Sequence, residues 1–135
     1  MNARIAVAMA ALLAASACKW GMRPENYPPA NMPAGASVAV RVRDEGADRV
    51  GELFAVDSVG VTIYNRALQR IAWSRLGAMD VKDLGSGYDV SFGEIPDATK
   101  RSRIAAVSRF PQGLSPDLLR SVLAKLRLSQ LEEVR

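Results

Sequence analysis

The chain has 135 residues, with 18 lysines and arginines, 14 aspartates and glutamates, one cysteine and no histidine. This length allows one domain, or a small domain with an appendage. A single thiol and no imidazole exclude a Cys/His zinc site, a histidine-dependent catalytic triad and an intramolecular disulfide.

The N-terminus has the anatomy of an export signal. Arg4 is the only charged residue before Lys19, and an unbroken apolar run extends from 5 to 15. A basic start, a short apolar stretch and small residues are typical of a secretory signal peptide. A membrane-spanning helix needs about 20 apolar residues, so this run is too short to be one.

The residues around Cys18 resemble the lipobox of bacterial lipoproteins, in the sequence Leu12-Leu13-Ala14-Ala15-Ser16-Ala17-Cys18. The resemblance implies that Cys18 is bonded to diacylglycerol through a thioether, becomes the first residue after cleavage, and is then often N-acylated. Ala15 stands where this family usually has leucine. By the same resemblance Lys19, in place of aspartate, favours the outer membrane in a cell that has one.

Two alternatives stay open for this segment: an ordinary signal peptide that ends near a cysteine, and an amphipathic helix followed by a buried cytosolic cysteine. The run is apolar on every face, which disfavours the amphipathic helix. Because a single acyl chain binds a bilayer only marginally, stable anchoring needs the two or three chains that a lipidated Cys18 carries.

A proline-rich tether is predicted after the cysteine, because prolines disfavour helix and extend the chain. The prolines are Pro24, Pro28, Pro29 and Pro33. The predicted organisation is a signal peptide at 1–17, the lipidated cysteine and tether at 18–35, a β-barrel at 36–83, and a linker with two helices at 84–135.

Five short strands joined by tight turns are predicted in the barrel segment, at 37–43, 49–56, 59–63, 68–73 and 78–82. The alternation of apolar and polar residues in them is typical of half-buried strands. Their regular spacing predicts a closed or nearly closed meander, which would leave no strand edge exposed.

The stretches 50–57, 60–63 and 70–73 resemble the small Sm-like and SH3-like barrels. The resemblance implies a mainly β, α+β fold, in which a five-stranded barrel precedes two short helices. RNA binding does not transfer with it, because the chain lacks a base-reading signature, and its few aromatic residues are not interleaved with basic ones. We therefore expect no nucleic-acid partner.

Two helices are predicted in the C-terminal segment. The first extends from Ala98 to Phe110 with Asp97 as its N-cap, and the second follows Ser115 as N-cap, with Pro116 at its first position. Between them, Arg109-Phe110-Pro111-Gln112-Gly113 has the character of a motif, but its pattern indicates no mechanism. Before them, residues 88–95 alternate in a way that predicts an extra strand or a strap across the barrel.

The second helix carries the strongest apolar stripe, formed by Leu118, Leu119, Val122, Leu123 and Leu126. Such a stripe must be buried. Packing on the barrel is the favoured interpretation, because a small domain needs every apolar face for its core. The alternative is a partner face centred on Leu119, Leu123 and Leu126.

The densest basic cluster is Lys100, Arg101 and Arg103 in the first predicted helix. A solvated helix face is the usual interpretation of such a cluster. The alternative is contact with anionic lipid headgroups.

No catalytic residue, cofactor or metal is predicted, because most acidic residues lie at turns and no serine has an activating base nearby. The predicted function is a non-enzymatic binding or scaffolding module of the bacterial cell envelope, held to membrane lipid through Cys18 and available to an envelope protein partner. The alternative is an envelope hydrolase that acts on cell-wall polymer or lipid through surface carboxylates.

Overall fold

The computed structural model describes residues 34–135. These residues form a six-stranded sheet and two helices, which confirms the mainly β, α+β class. The strands are β1 (Ser37–Val42), β2 (Asp48–Val56), β3 (Gly60–Asn65), β4 (Ala67–Ala72), β5 (Leu76–Val81) and β6 (Glu132–Val134), and the helices are α1 (Ala98–Ala106) and α2 (Pro116–Leu126). Residues 1–17 and most of the predicted tether lie outside the described part of the chain.

The sheet is open, with the strand order β5-β1-β2-β3-β4-β6. The first five strands pair antiparallel, whereas β6 adds in parallel to β4. The prediction of a closed five-stranded barrel is therefore wrong: there is a sixth strand, and the two ends of the sheet do not meet. A closed barrel would leave no strand edge exposed, whereas in this open sheet other segments of the chain lie along the edges of β4 and β5.

The outer edges of the five antiparallel strands are bordered by other segments of the chain: the three-residue β6 lies along β4 and becomes the new edge, and the segment after β5 lies along β5. Along β5, Met79 exchanges backbone hydrogen bonds with Val90 at 3.0 and 2.8 Å, and Gly93 N–H donates to the carbonyl of Gly77 at 3.2 Å. The Val81 N–H donates to the carboxylate of Asp89 at 2.8 Å. The strap predicted at 88–95 is thus reduced to one bridge and a few hydrogen bonds along an edge.

The two faces of the sheet carry separate apolar clusters. The larger one contains the inward residues of β1, including Val38 and Val40, and is covered by α1 through the fully buried Ile104. The smaller one lies under α2 and includes Phe54, Leu68 and Phe110. The four consecutive residues of β2 from Leu53 to Val56 are all buried, although they are divided between the two clusters, because a helix covers each face of the strand.

The predicted helix starts are confirmed. Asp97 caps α1 by accepting from the Lys100 N–H, and Ser115 caps α2 by accepting from the Leu118 N–H. The first helix ends at Ala106, before the predicted Phe110. The next two N–H groups close tighter turns on the helix, and the two after them bond to a strand. Arg109 N–H donates to the Leu53 carbonyl at 3.0 Å and Phe110 N–H to the Phe54 carbonyl at 2.8 Å, so β2 competes with the helix for these donors.

Candidate functional site

A groove of about 340 Å³ lies on the outward face of β1 and β5. Its floor contains two alanines, Ala39 and Ala78, which lie two residues apart in register because Ala39 pairs with Asp80 and Arg41 pairs with Ala78. Small side chains between long charged ones leave an open channel along the paired strands. The groove therefore follows from the alternation of small and charged residues on the solvent face of this strand pair.

The groove is lined by charged groups that are already matched. Arg41 Nε donates to the Asp48 carboxylate at 2.7 Å, and Lys82 Nζ forms an ion pair with Asp80. Asp89 lines the far wall, where its carboxylate accepts from the Val81 N–H. The lining thus holds three carboxylates and two cations, and its two ion pairs are about half exposed to solvent.

The aspartates of the groove act on its two cations. The hydrogen bond to Asp80 raises the pKa of Lys82 most, and the charges of Asp80, Asp89 and Asp48 add to it. The hydrogen bond to Asp48 likewise raises the pKa of Arg41. Because Lys82 responds to all three carboxylates, these side chains act together on one ammonium group.

The arrangement in the groove suits the binding of polar ligands. A ligand that carries ammonium or hydroxyl groups can exchange hydrogen bonds with the aspartates, and anionic groups can exchange them with Arg41 and Lys82. Among residues 34–135 no group of three potential ligands is placed to hold a metal ion. The groove therefore offers a polar ligand hydrogen-bonding groups of both charges.

The predicted basic cluster is divided among different environments. Lys100 Nζ contacts both carboxylate oxygens of Glu94, at 3.0 and 3.1 Å. Arg101 Nε donates to the Pro96 carbonyl at 2.7 Å, and its guanidinium lies 5.2 Å from the centre of the Trp73 ring. Arg103 is exposed. The three cations share a helix, but only Arg103 extends freely into solvent.

A second, shallower cavity of about 270 Å³ separates α1 from the turn after β2. Arg101 and Ser102 line it from the helix, and Asp57 and Ser58 line it from the turn. The Asp57 carboxylate is engaged by the Val59 and Gly60 N–H groups at 2.8 and 3.0 Å. This cavity is accounted for by the packing of a helix on a tight turn.

The predicted partner face of α2 is directed at the sheet. Leu118 and Val122 are buried in the smaller cluster, and Leu119, Leu123 and Leu126 pack against it with part of their surface exposed. The interpretation that the stripe packs within the domain accounts for these positions.

The segment from Arg109 to Gly113 connects the two helices across β2. The Arg109 guanidinium contacts both carboxylate oxygens of Glu52, at 2.6 and 3.0 Å, and lies 5.4 Å from the Phe54 ring centre. Phe110 packs on the same ring, with centroids 5.1 Å apart. Gly113 has a φ of 78°, which favours glycine at that turn. The motif-like character of the segment thus reflects packing.

The Glu52 carboxylate also fixes the point where the chain enters the sheet. Its Oε1 atom accepts from the Gly35 N–H at 2.7 Å. A Cβ atom at Gly35 would lie 1.9 Å from the Leu53 carbonyl oxygen, so only glycine fits there. The pair Glu52 and Arg109 therefore ties the start of the domain to the segment between its helices.

Cys18, the predicted lipidation site, lies outside the described residues. The sequence analysis missed Asp80, Lys82 and Asp89 as members of one groove, although the outward alternation in β5 carried the signal for the first two. Neither helix among residues 34–135 is long and apolar enough to cross a bilayer. Comparison with protein families, curated proteins and solved structures found no match to this chain.

Proposed function

We propose that the protein is a lipid-anchored, non-enzymatic binding module of the bacterial cell envelope. The observation that carries this proposal is the N-terminal sequence: one basic residue, an apolar run at 5–15, and small residues that end at Cys18. Acylation of this cysteine would hold the domain on a membrane without a spanning helix. Lys19 after the cysteine favours an outer membrane in a cell that has one.

The domain at 34–135 supports a binding role through its groove on β1 and β5. The groove is lined by two ion pairs, Arg41 with Asp48 and Lys82 with Asp80, and has Ala39 and Ala78 in its floor. We assign to it a polar, charge-bearing ligand, either an extended segment of an envelope protein or a cell-wall polymer. The order of the first five strands, β5-β1-β2-β3-β4, together with the resemblance of 50–57, 60–63 and 70–73, supports an opened variant of the SH3-like or Sm-like arrangement.

Intact-mass analysis of protein extracted from bacterial membranes tests the anchoring. We expect a chain that begins at Cys18 and carries the added mass of acyl chains, and a Cys18→Ser variant that lacks this mass. Since the chain has one cysteine, thiol labelling reports on the same atom independently. A native product that retains residues 1–17 and a free thiol would overturn the proposal.

Crosslinking in whole envelopes tests the groove. An Arg41→Glu variant reverses a charge in the groove lining, whereas Arg120→Glu makes the same change on α2, where the arginine side chain is 77 % exposed. We expect the groove variant alone to lose a reproducible crosslinked partner. Equal recovery of that partner from both variants would remove the groove from the proposal.

A second candidate function is an envelope hydrolase, and the observation that favours it is the presence of Asp48, Asp80 and Asp89 in one groove. Hydrolysis of a glycosidic bond uses two carboxyl groups, one of which must be protonated. All three aspartates are already engaged in contacts within the domain, with Arg41, with Lys82 and with the Val81 N–H. Release of soluble cell-wall fragments that is lost in Asp80→Asn would favour the hydrolase.

A further inference from the structure

The outer edge of β4 is only partly filled by β6. The strand β4 has six residues, and β6 pairs in parallel with the three from Gln69 to Ile71. On its other side, β4 pairs with β3 along its whole length. Among residues 34–135, Ala67, Leu68 and Ala72 therefore have a strand partner on the β3 side alone. Half of this edge is left without a paired strand.

The pairing of β6 is short because the residues before it are held elsewhere. The Leu128 N–H donates to the Leu123 carbonyl at 2.9 Å, and the side chains of Leu128 and Leu131 pack against the smaller cluster. If the observed register continued backwards, Gln130 would lie opposite Ala67 at the start of β4. A segment that is not attached to α2 would therefore pair along the whole strand, which the attached β6 does not do.

The first position of the edge is set to receive a carboxylate. Gln69 Oε1 accepts from Arg49 Nη1 at 3.2 Å, and its Nε2 donates to the Glu132 carboxylate at 2.9 Å. Because a guanidinium only donates hydrogen bonds, Arg49 turns the amide so that its N–H groups face the edge. Arg49 is held in turn by both carboxylate oxygens of Glu45, at 3.0 and 2.9 Å. Gln69 thus presents an oriented donor to whatever lies along β4.

The next two positions receive an acidic and an apolar residue. Arg70 Nη1 donates to the Glu133 carboxylate at 3.3 Å, and the Arg70 guanidinium lies 3.6 Å from Asp57. The Nε atom of Arg70 is buried and has no acceptor among residues 34–135, so β6 satisfies this side chain incompletely. Val134 pairs with the fully buried Ile71 and packs against the larger cluster. The edge therefore selects two acidic residues followed by an apolar one.

We infer that the outer edge of β4 binds an extended acidic segment of another protein, and that β6 occupies this edge until such a segment replaces it. Strand addition gains backbone hydrogen bonds, and alternate side chains give it specificity. A partner segment gains the pairs along β4 that β6 leaves unmade. A second copy of this chain brings the same short β6 and gains none. The edge lies at the opposite end of the sheet from the groove on β1 and β5, so it is a separate site.

Backbone amide NMR of the isotope-labelled full chain tests the inference, with a synthetic peptide of the sequence 128–135 as the probe. The attached β6 competes with the peptide at an effective concentration of about 1 mM. A double variant, Glu132→Lys with Glu133→Lys, places cations against Arg70 and should release β6. We expect the peptide to shift the amide signals from Gln69 to Ile71 and to bind the double variant about tenfold more tightly, because more molecules then have an open edge.

Two controls separate recognition from a general effect of charge. Asp117→Lys reverses an exposed charge on α2, and this variant should bind the peptide as the unchanged chain does. A peptide with lysine at both glutamate positions should leave the β4 signals unshifted. Equal binding of the acidic and the basic peptide would refute the assigned selectivity for acidic residues.

The remaining outcomes decide whether the edge binds and what it binds. Unshifted β4 signals in a double variant that is otherwise folded overturn the inference. If the double variant does not fold, the unchanged chain at about 1 mM peptide gives the same decision, because the peptide then matches the attached β6 in concentration. Shifts confined to Arg41 and Lys82 would assign the peptide to the groove instead. A dimer of the unchanged chain in sedimentation, absent in the double variant, would replace the foreign partner by a second copy.

Discussion

Replacing Glu52 by glutamine tests the ion pair that joins β2 to the segment between the helices. The change removes the charge and keeps the size of the side chain. In the structure the carboxylate binds the Arg109 guanidinium through two hydrogen bonds and the Gly35 N–H through a third. The side chains of Glu52 and Arg109 are only 17 % and 30 % exposed, so solvent screens the pair weakly.

The expected magnitude follows from this partial burial. Exposed ion pairs contribute about 0–1 kcal/mol, and breaking a fully buried pair costs about 3–5 kcal/mol. A bidentate pair between these limits predicts a loss of about 2 kcal/mol for Glu52→Gln. With Arg109→Met as the second change, a double-mutant cycle should give a coupling of about 1–2 kcal/mol, since these residues are in direct contact.

Urea unfolding of the purified chain, followed by far-UV circular dichroism, measures these differences. The urea concentration at the unfolding midpoint should fall, while the slope of the unfolding free energy against urea concentration stays constant. Arg41 and Asp48 provide the matched control: they form one contact at 2.7 Å, and their side chains are 50 % and 42 % exposed. Their cycle should give no more than about 0.5 kcal/mol. Equal coupling in the two cycles would refute the reasoning from burial.

Three further predictions address the core, a helix cap and the turn before α1. Ile104→Ala removes a fully buried side chain beneath α1 and should lower the free energy of unfolding by about 3 kcal/mol, whereas Ile104→Val should cost about 1 kcal/mol, both measured by urea unfolding. Ser115→Ala removes the N-cap of α2 and should cost about 1 kcal/mol in the same assay, and no loss would show that the cap is dispensable. The Ser91 N–H and then Lys100 lower the pKa of Glu94 below its ordinary value, so its contribution to stability is present above the ordinary pKa and is lost as the pH falls through the lowered one. A carbon-detected NMR titration should give Glu94 a lower pKa than a glutamate in an unstructured peptide. The Lys100→Met variant should raise the pKa of Glu94. An unchanged pKa in that variant would contradict the assigned contact with Lys100.

The first five strands of the sheet were predictable because their apolar residues alternate with polar ones. Val38, Val40 and Val42 all face the core and are fully buried, as the period of two requires. The sixth strand was not predictable from its own residues. Glu132 to Val134 is short and mostly acidic, and it becomes a strand only because the edge of β4 lies beside it. Its pairing is therefore a tertiary effect.

The site was less predictable than the fold. The alternation in β1 and β5 indicates which residues face solvent, and this includes Arg41, Asp80 and Lys82. It does not reveal that Asp89, which lies beyond β5, closes the same groove by bonding to Val81.

The covered edges of the sheet have a consequence for crowding. Open β-sheets can recruit further chains along unpaired edges, and this route leads to fibres and precipitates. Here Val90 and Gly93 lie along β5, and the C-terminal strand lies along β4 and forms a new edge of only three residues. A crowded layer of such molecules therefore offers a neighbouring chain only a short row of backbone groups for strand addition.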